Sequence, residues 1–307
     1  MSSASPVPVS GIVDAIGVDA GGAFACSAHA GGGARCWGLG TSGQLGQGSS
    51  DSSDEPVDVL NVAGAVQITA GDTHACARLA TGAVRCWGYN FYGSLGDGTN
   101  TSTPLAVPVS GLSDAIDVAA GYRHTCAVRA NHTVVCWGAG SDGQLGNGGQ
   151  SDSNVPVPVA GLSDAVQVAA GTDFSCARSS DGAVRCWGKG DGGQLGNGAG
   201  ATSTSAVSVL GEGAADLALG WYHACRAEMD GGVSCWGTGA LGVASPTTSN
   251  TPVQTTLSGA LEVAAGDAFG CALLQDGTAM CWGANTSGQL GDGTFTSHPL
   301  PQATLPF

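Results

Sequence analysis

Apolar and polar residues alternate at every second position in short stretches along the chain. Val166-Gln167-Val168-Ala169-Ala170 is one such stretch, ended by Gly171. Period-two alternation over so few residues predicts a strand with one buried face, and nowhere do apolar residues recur at helical spacing. Around that strand, Val155 to Gly198 reads as one unit of four strands. Val155-Pro156-Val157-Pro158-Val159 is extended and suits an edge, where a missing N–H costs no ladder bond. Phe174-Ser175-Cys176-Ala177-Arg178 and Ala183-Val184-Arg185-Cys186-Trp187 flank Asp181-Gly182, a hairpin turn. A loop ending Gly193-Gln194-Leu195-Gly196 closes the unit.

The unit recurs along the whole chain. The 12 cysteines form six pairs, Cys26/Cys36, Cys76/Cys86, Cys126/Cys136, Cys176/Cys186, Cys225/Cys235 and Cys271/Cys281, each spaced by ten residues. Successive pairs are offset by 50, 50, 50, 49 and 46 residues, and each second cysteine is followed by Trp-Gly. Four short strands at this period predict radially arranged blades, so the expectation is a single all-β domain over residues 1–307, a six-bladed β-propeller. With the turn midway, the two cysteines of a pair fall opposite one another on neighbouring strands, at the separation a disulfide needs. One disulfide within each blade is therefore expected, and with it an oxidising location, extracellular or at the cell surface. The CxxC spacing of a zinc site is absent, and no metal is expected.

Along a strand, each tryptophan after a cysteine points to the opposite face, which predicts that one blade's tryptophan packs near the disulfide face of the next. Only Trp221 lies outside this pattern. Both chain ends, Pro6-Val7-Pro8-Val9 and Pro299-Leu300-Pro301, resemble the Pro-rich strand, giving seven candidates for six places. One copy is expected to complete the last blade; the spare could pair with another molecule and support self-association.

Composition narrows the function. The chain has 53 glycines, 42% hydrophobic residues and only 11% charged ones, which suits strands joined by tight turns. Nine basic against 24 acidic residues give a net charge of −15, and Lys189 is the only lysine. Nucleic acid and anionic membrane are poor partners for such a surface. No apolar run is long enough to span a membrane as a helix, so membrane insertion is not expected. The first residues do not read as a signal peptide, so a removed leader or an excised domain is expected.

The runs Gly121-Tyr122-Arg123-His124-Thr125-Cys126 and Cys281-Trp282-Gly283-Ala284-Asn285-Thr286-Ser287-Gly288-Gln289-Leu290-Gly291 resemble the repeat of the regulator of chromosome condensation family, and the resemblance covers essentially the whole chain. It implies a propeller. Family roles include a nucleotide-exchange factor on chromatin, a plant ultraviolet photoreceptor and a secreted bacterial β-lactamase inhibitor. The acidic balance argues against the first, the single spare tryptophan against the second. A bacterial-type, cysteine-paired, secreted binding protein is the nearest analogy in compartment. Well-studied members have seven blades where this chain supplies six repeats, so no residue role is carried over.

Several motifs dissolve on inspection. Gly38 to Gly43, Gly138 to Gly143 and Gly188 to Gly193 fit GxGxxG but follow Cys-Trp in every case and precede no helix, so no nucleotide cofactor is expected. His74, His124 and His223 stand where other repeats carry Phe24, Phe174 and Phe269, which marks an aromatic packing position. Asp51, Asp54, Asp97, Asp142 and Asp191 read as turn residues rather than calcium ligands. No catalytic grouping is found, and an enzyme is not expected.

Specificity must come from where the repeats differ. The two positions after the glycine preceding each first cysteine read Gly22-Ala23, Asp72-Thr73, Tyr122-Arg123, Thr172-Asp173, Trp221-Tyr222 and Asp267-Ala268. Equivalent turns crowd one face of a disc, so Tyr122, Arg123, Trp221 and Tyr222, flanked by Asp72, Asp173 and Asp267, form the first candidate site. A second variable set follows Trp-Gly and includes Tyr89, Asn90, Phe91, Tyr92 and Lys189. Both point to binding of a protein, or of a glycan, through the loop face; the rival reading is a self-assembling surface protein.

Overall fold

The computed structural model describes residues 2–211 and 213–306. Its 24 strands form six four-stranded antiparallel sheets, each built from four strands consecutive in the chain. The inner strands, Ala15–Ala20, Ala65–Ala70, Ala115–Ala120, Ala165–Ala170, Ala214–Leu219 and Ala260–Ala265, surround a central cavity. In blade 3, for example, Ala115–Ala120 pairs with His124–Arg129, which pairs with Val134–Gly138, which pairs with the outermost strand Ser153–Pro158. The molecule is thus a six-bladed propeller.

All six cysteine pairs are disulfides within a blade: Cys26 with Cys36, Cys76 with Cys86, Cys126 with Cys136, Cys176 with Cys186, Cys225 with Cys235, and Cys271 with Cys281. Cys126 and Cys136 are direct register partners with Cα atoms 4.0 Å apart, the opposed placement that a central turn produces. Cys225 and Cys235 keep the same opposition in blade 5, at 4.1 Å, although the repeat there is shorter.

Two expectations shift in phase. The Pro-rich run from Val155 is not the first strand of its unit: Val157 pairs with Cys136, so the run is the rim of blade 3. Proline, lacking an N–H, sits at the rim, and the chain then crosses from the rim of one blade to the axis of the next. The tryptophan packs against the disulfide of the preceding blade, not the following one. Trp87 lies on Cys26 and Cys36, Trp137 on Cys76 and Cys86, and Trp187 on Cys126 and Cys136. Trp236 lies likewise on Cys176 and Cys186, and Trp282 on Cys225 and Cys235.

Each of these indoles is fully buried under the loop of that preceding blade and donates to its backbone: Trp137 Nε1 to Ser94 O at 2.8 Å, Trp187 Nε1 to Gln144 O at 2.9 Å. The glycine closing that loop is obligatory. Gly146 has φ +65°, and a Cβ there would stand 2.7 Å from Trp187 Cδ1.

The last rim strand, His298–Ala303, comes from the C-terminal Pro-rich copy and completes blade 6, leaving the N-terminal copy spare. The procession of packed inner strands stops at this seam. Ala15–Ala20 and Ala260–Ala265 do not pack together as the other five successive pairs do, and Ile16 and Val18 are 54% and 68% exposed.

Candidate binding face

At the end of each inner strand the chain turns through Gly-X-X into the second strand. The glycine is needed for close approach: a Cβ on Gly121 would meet the Gly171 carbonyl at 2.4 Å and the ring of His124 at 2.6 Å. The X-X pairs are thereby drawn to one mouth of the axial cavity, whose volume is about 600 Å³. Asp72, Tyr122, Trp221 and Asp267 line it; Arg123, Asp173 and Tyr222 stand outside the lining.

The rings form a continuous belt. Tyr122 and Trp221 meet edge to face with centroids 5.9 Å apart, and Trp221 meets Tyr222 the same way at 6.4 Å. The guanidinium of Arg123 lies 4.8 Å from the Tyr122 ring and 4.9 Å from the Tyr92 ring, and donates to Tyr92 Oη at 3.2 Å. Tyr92 in turn packs edge-on to Phe91 at 5.3 Å, with Tyr89 6.5 Å from each. The two variable sets, separate in sequence, therefore join into one surface spanning blades 2, 3 and 5. Phe91, Trp221 and Tyr222 are 65%, 36% and 42% exposed, a cost in apolar hydration that a folded monomer does not need.

Asn90 does not belong to this surface. It is fully buried, accepting from Leu95 N at 2.9 Å and donating to Thr99 O at 3.1 Å, and so shapes the loop that presents its neighbours. Asp97 is used similarly, accepting from Thr99 N and Oγ1.

Partial burial raises the Asp72, Asp173 and Asp267 carboxyls above the usual carboxylate range. Asp142 adds to the effect at Asp173, while Arg123 opposes it at both Asp72 and Asp173. The face thus offers flat apolar rings edged by carboxylates that gain from a cationic neighbour.

The histidines take no part in it. Desolvation holds His74, His124 and His223 at about 4, about 3 and about 4, so all three are neutral packing groups. Nor do the cysteines: Cys225 and Cys235, in the blade that carries Trp221 and Tyr222, are fully buried and serve only to hold the hairpin behind those rings. The GxGxxG glycines lie in turns after the third strand of a blade with no helix following among the described residues. Nothing in the sequence signalled the belt's linking contact, because Arg123 reaches Tyr92 across 31 residues and a blade boundary.

A β-propeller with a paired-cysteine hairpin in every blade defines the class, and comparison with known proteins narrows it. The profile of the RCC1-like domain matches residues 2–305, and the chain belongs to that family. Human WBSCR16 superposes with a TM-score of 0.90 at 22% identity, over 98% of this chain and 84% of that one. Yeast RCC1 (Prp20), solved bound to Kap60, gives 0.83 at 21% identity, over 95% and 75%. A second structure, Prp20p of Saccharomyces cerevisiae, described together with its binding properties to Gsp1p and histones, gives 0.80 at 20% identity, over 95% and 77%. At such identities the likeness concerns the fold. No curated protein sequence matches the chain.

Proposed function

We propose that the chain is a non-enzymatic binding module that recognises a protein presenting basic side chains through the loop face at the cavity mouth, in an extracellular or cell-surface setting. The carrying observation is the exposed belt from Phe91 through Arg123 to Tyr222 beside the carboxylates of Asp72, Asp173 and Asp267. Tyr, Trp and Arg dominate interface energetics because they combine large apolar area with directional polar contacts. A net charge of −15 steers cationic partners toward the molecule at long range. That Prp20p binds proteins on a related scaffold fits this reading. The six disulfides fit the compartment.

The test compares the immobilised protein with its W221A/Y222A variant against extracellular protein of the source. The partner is retained by the parent and lost from the variant, by at least about tenfold in affinity, with an unchanged thermal midpoint. Equal retention on both would remove the site from the belt. A glycan partner is the second reading, favoured by exposed rings able to stack on sugar faces, and it predicts that binding survives protease treatment of the source.

A further inference from the structure

The neck of the axial cavity gathers acceptors without a cation: among the described residues no lysine, arginine or histidine lines it. The glycines that turn each inner strand away from the axis, Gly71, Gly121, Gly171, Gly220 and Gly266, all belong to the lining. The carbonyl oxygen of each lies against the glycine of the preceding blade, Gly121 O against Gly71 and Gly266 O against Gly220, so the oxygens follow one another around the neck. Of the five, only Gly171 O accepts a backbone hydrogen bond among the described residues, from Tyr122 N at 3.1 Å.

Asp72 and Asp267 directly follow two of these glycines, and neither carboxylate accepts a hydrogen bond. Arg123 acts on Asp72 through charge alone, its guanidinium being held outside the lining over the Tyr122 and Tyr92 rings. The rings of Tyr122 and Trp221, from blades 3 and 5, meet across blade 4. Thr172, which stands between them in ring order, is only 8% exposed, and its hydroxyl is buried without a partner. Two residues before the glycines the wall turns to methyl groups, at Ala119, Ala169, Ala218 and Ala264. The polar residues at that level are already engaged. Asp19 accepts from Ala20 N and Ala70 N, and Thr69 Oγ1 accepts from Ala120 N.

We infer that the neck binds a primary ammonium carried on an unbranched alkyl stem. The ammonium donates to the free glycine carbonyls within the field of Asp72 and Asp267. Its three hydrogens suit oxygens set around a ring, whereas a guanidinium needs a planar fork of acceptors. The stem passes between Tyr122 and Trp221, whose faces favour both methylenes and positive charge, and parting these rings opens the Thr172 hydroxyl to a polar neighbour. The alanine level beneath offers a charge no acceptor, which stops it at the neck. A lysine side chain of a protein and a free alkylamine both supply this group. The inference rests on the reading of this mouth as the binding face and narrows it to the group that reaches the axis.

The test titrates n-pentylammonium and Nα-acetyl-lysine methylamide into the full chain and its D72N/D267N variant, followed by amide chemical shifts. At about 0.15 M salt the attraction of the distant acidic surface is screened. Both amines shift the Gly-X-X turns at the neck, and pentan-1-ol, with the same stem and no charge, leaves them unmoved. The variant keeps its thermal midpoint and binds at least about tenfold more weakly. A lysine derivative that binds as well as the amine assigns the site to a protein side chain; an amine that binds where the derivative does not assigns it to a free alkylamine; both uphold it. Shifts spread over the rim, equal effects of pentan-1-ol, or an unchanged variant overturn it. A protein partner whose capture still depends on Trp221 and Tyr222 then leaves the belt standing without the neck, so the two readings fail separately.

Discussion

The ring nitrogen Nε2 of His74 lies 2.9 Å from Thr125 Oγ1, and that of His124 lies 2.7 Å from Ser175 Oγ, in each case a hydroxyl of the following blade. Where the following blade offers Ala75 or Ala224 at that place, the repeat carries Phe24 or Phe174 instead. His223 breaks the rule: the following blade has Gly270, with no hydroxyl, at the corresponding position, and neither ring nitrogen has a partner of hydrogen-bond geometry. A buried polar group left unpaired costs about 1–3 kcal/mol, so H223F should raise stability by roughly that amount in chemical denaturation at pH 7. The three histidines also set a pH dependence. With imidazoles near 6.5 when unfolded and at about 4, 3 and 4 when folded, the unfolded chain binds protons first as pH falls. Stability is therefore full above about pH 6.5 and declines through pH 4. H223F should flatten that decline measurably; an unchanged slope would mean that His223 is already protonated when folded. At this scale the sequence showed that the position takes His or Phe and so packs. It could not show the matching hydroxyl, which lies 51 residues away.

Among elements, the hairpin with its disulfide and its trailing tryptophan is the unit that holds blades together. Removing a fully buried indole costs about 3–5 kcal/mol, and W187A should fall in that range, while W37A, whose ring is only partly covered, should cost much less. Denaturation midpoints of the two variants check this directly. Access differs likewise between disulfides. Cys271 is partly exposed at the seam, whereas Cys126, Cys136, Cys176, Cys186, Cys225 and Cys235 are fully buried. Limited reduction followed by alkylation and mass mapping should therefore label Cys271 and Cys281 first. Strands, hairpins and cysteine pairing were legible because alternation and a fixed spacing of ten are local facts. The phase of the blade was not: Val157 pairs backward with Cys136, and an isolated Pro-rich run looks equally at home before or after a hairpin.

Across the whole molecule, six nearly equivalent repeats make a scaffold whose individuality is confined to one mouth and one seam. The mouth was partly readable, since equivalent turns must gather on one face and the variable residues at those turns were visible. The seam was not, because the first and last repeats carry the same motifs as the others and differ only in lacking neighbours. The packing of each indole beneath the preceding loop also redraws what counts as an interchangeable part. Sheet by sheet, the ring divides at the crossings from rim to axis. By stabilisation it divides elsewhere, since Trp87, Trp137, Trp187, Trp236 and Trp282 each complete the core of the sheet before their own. A repeat transplanted by cutting at sheet boundaries would carry half of two cores and finish neither. Shuffling experiments on this chain should therefore cut just after the Trp-Gly of a hairpin, so that each exchanged piece keeps an intact cysteine pair and the loop that roofs its own indole.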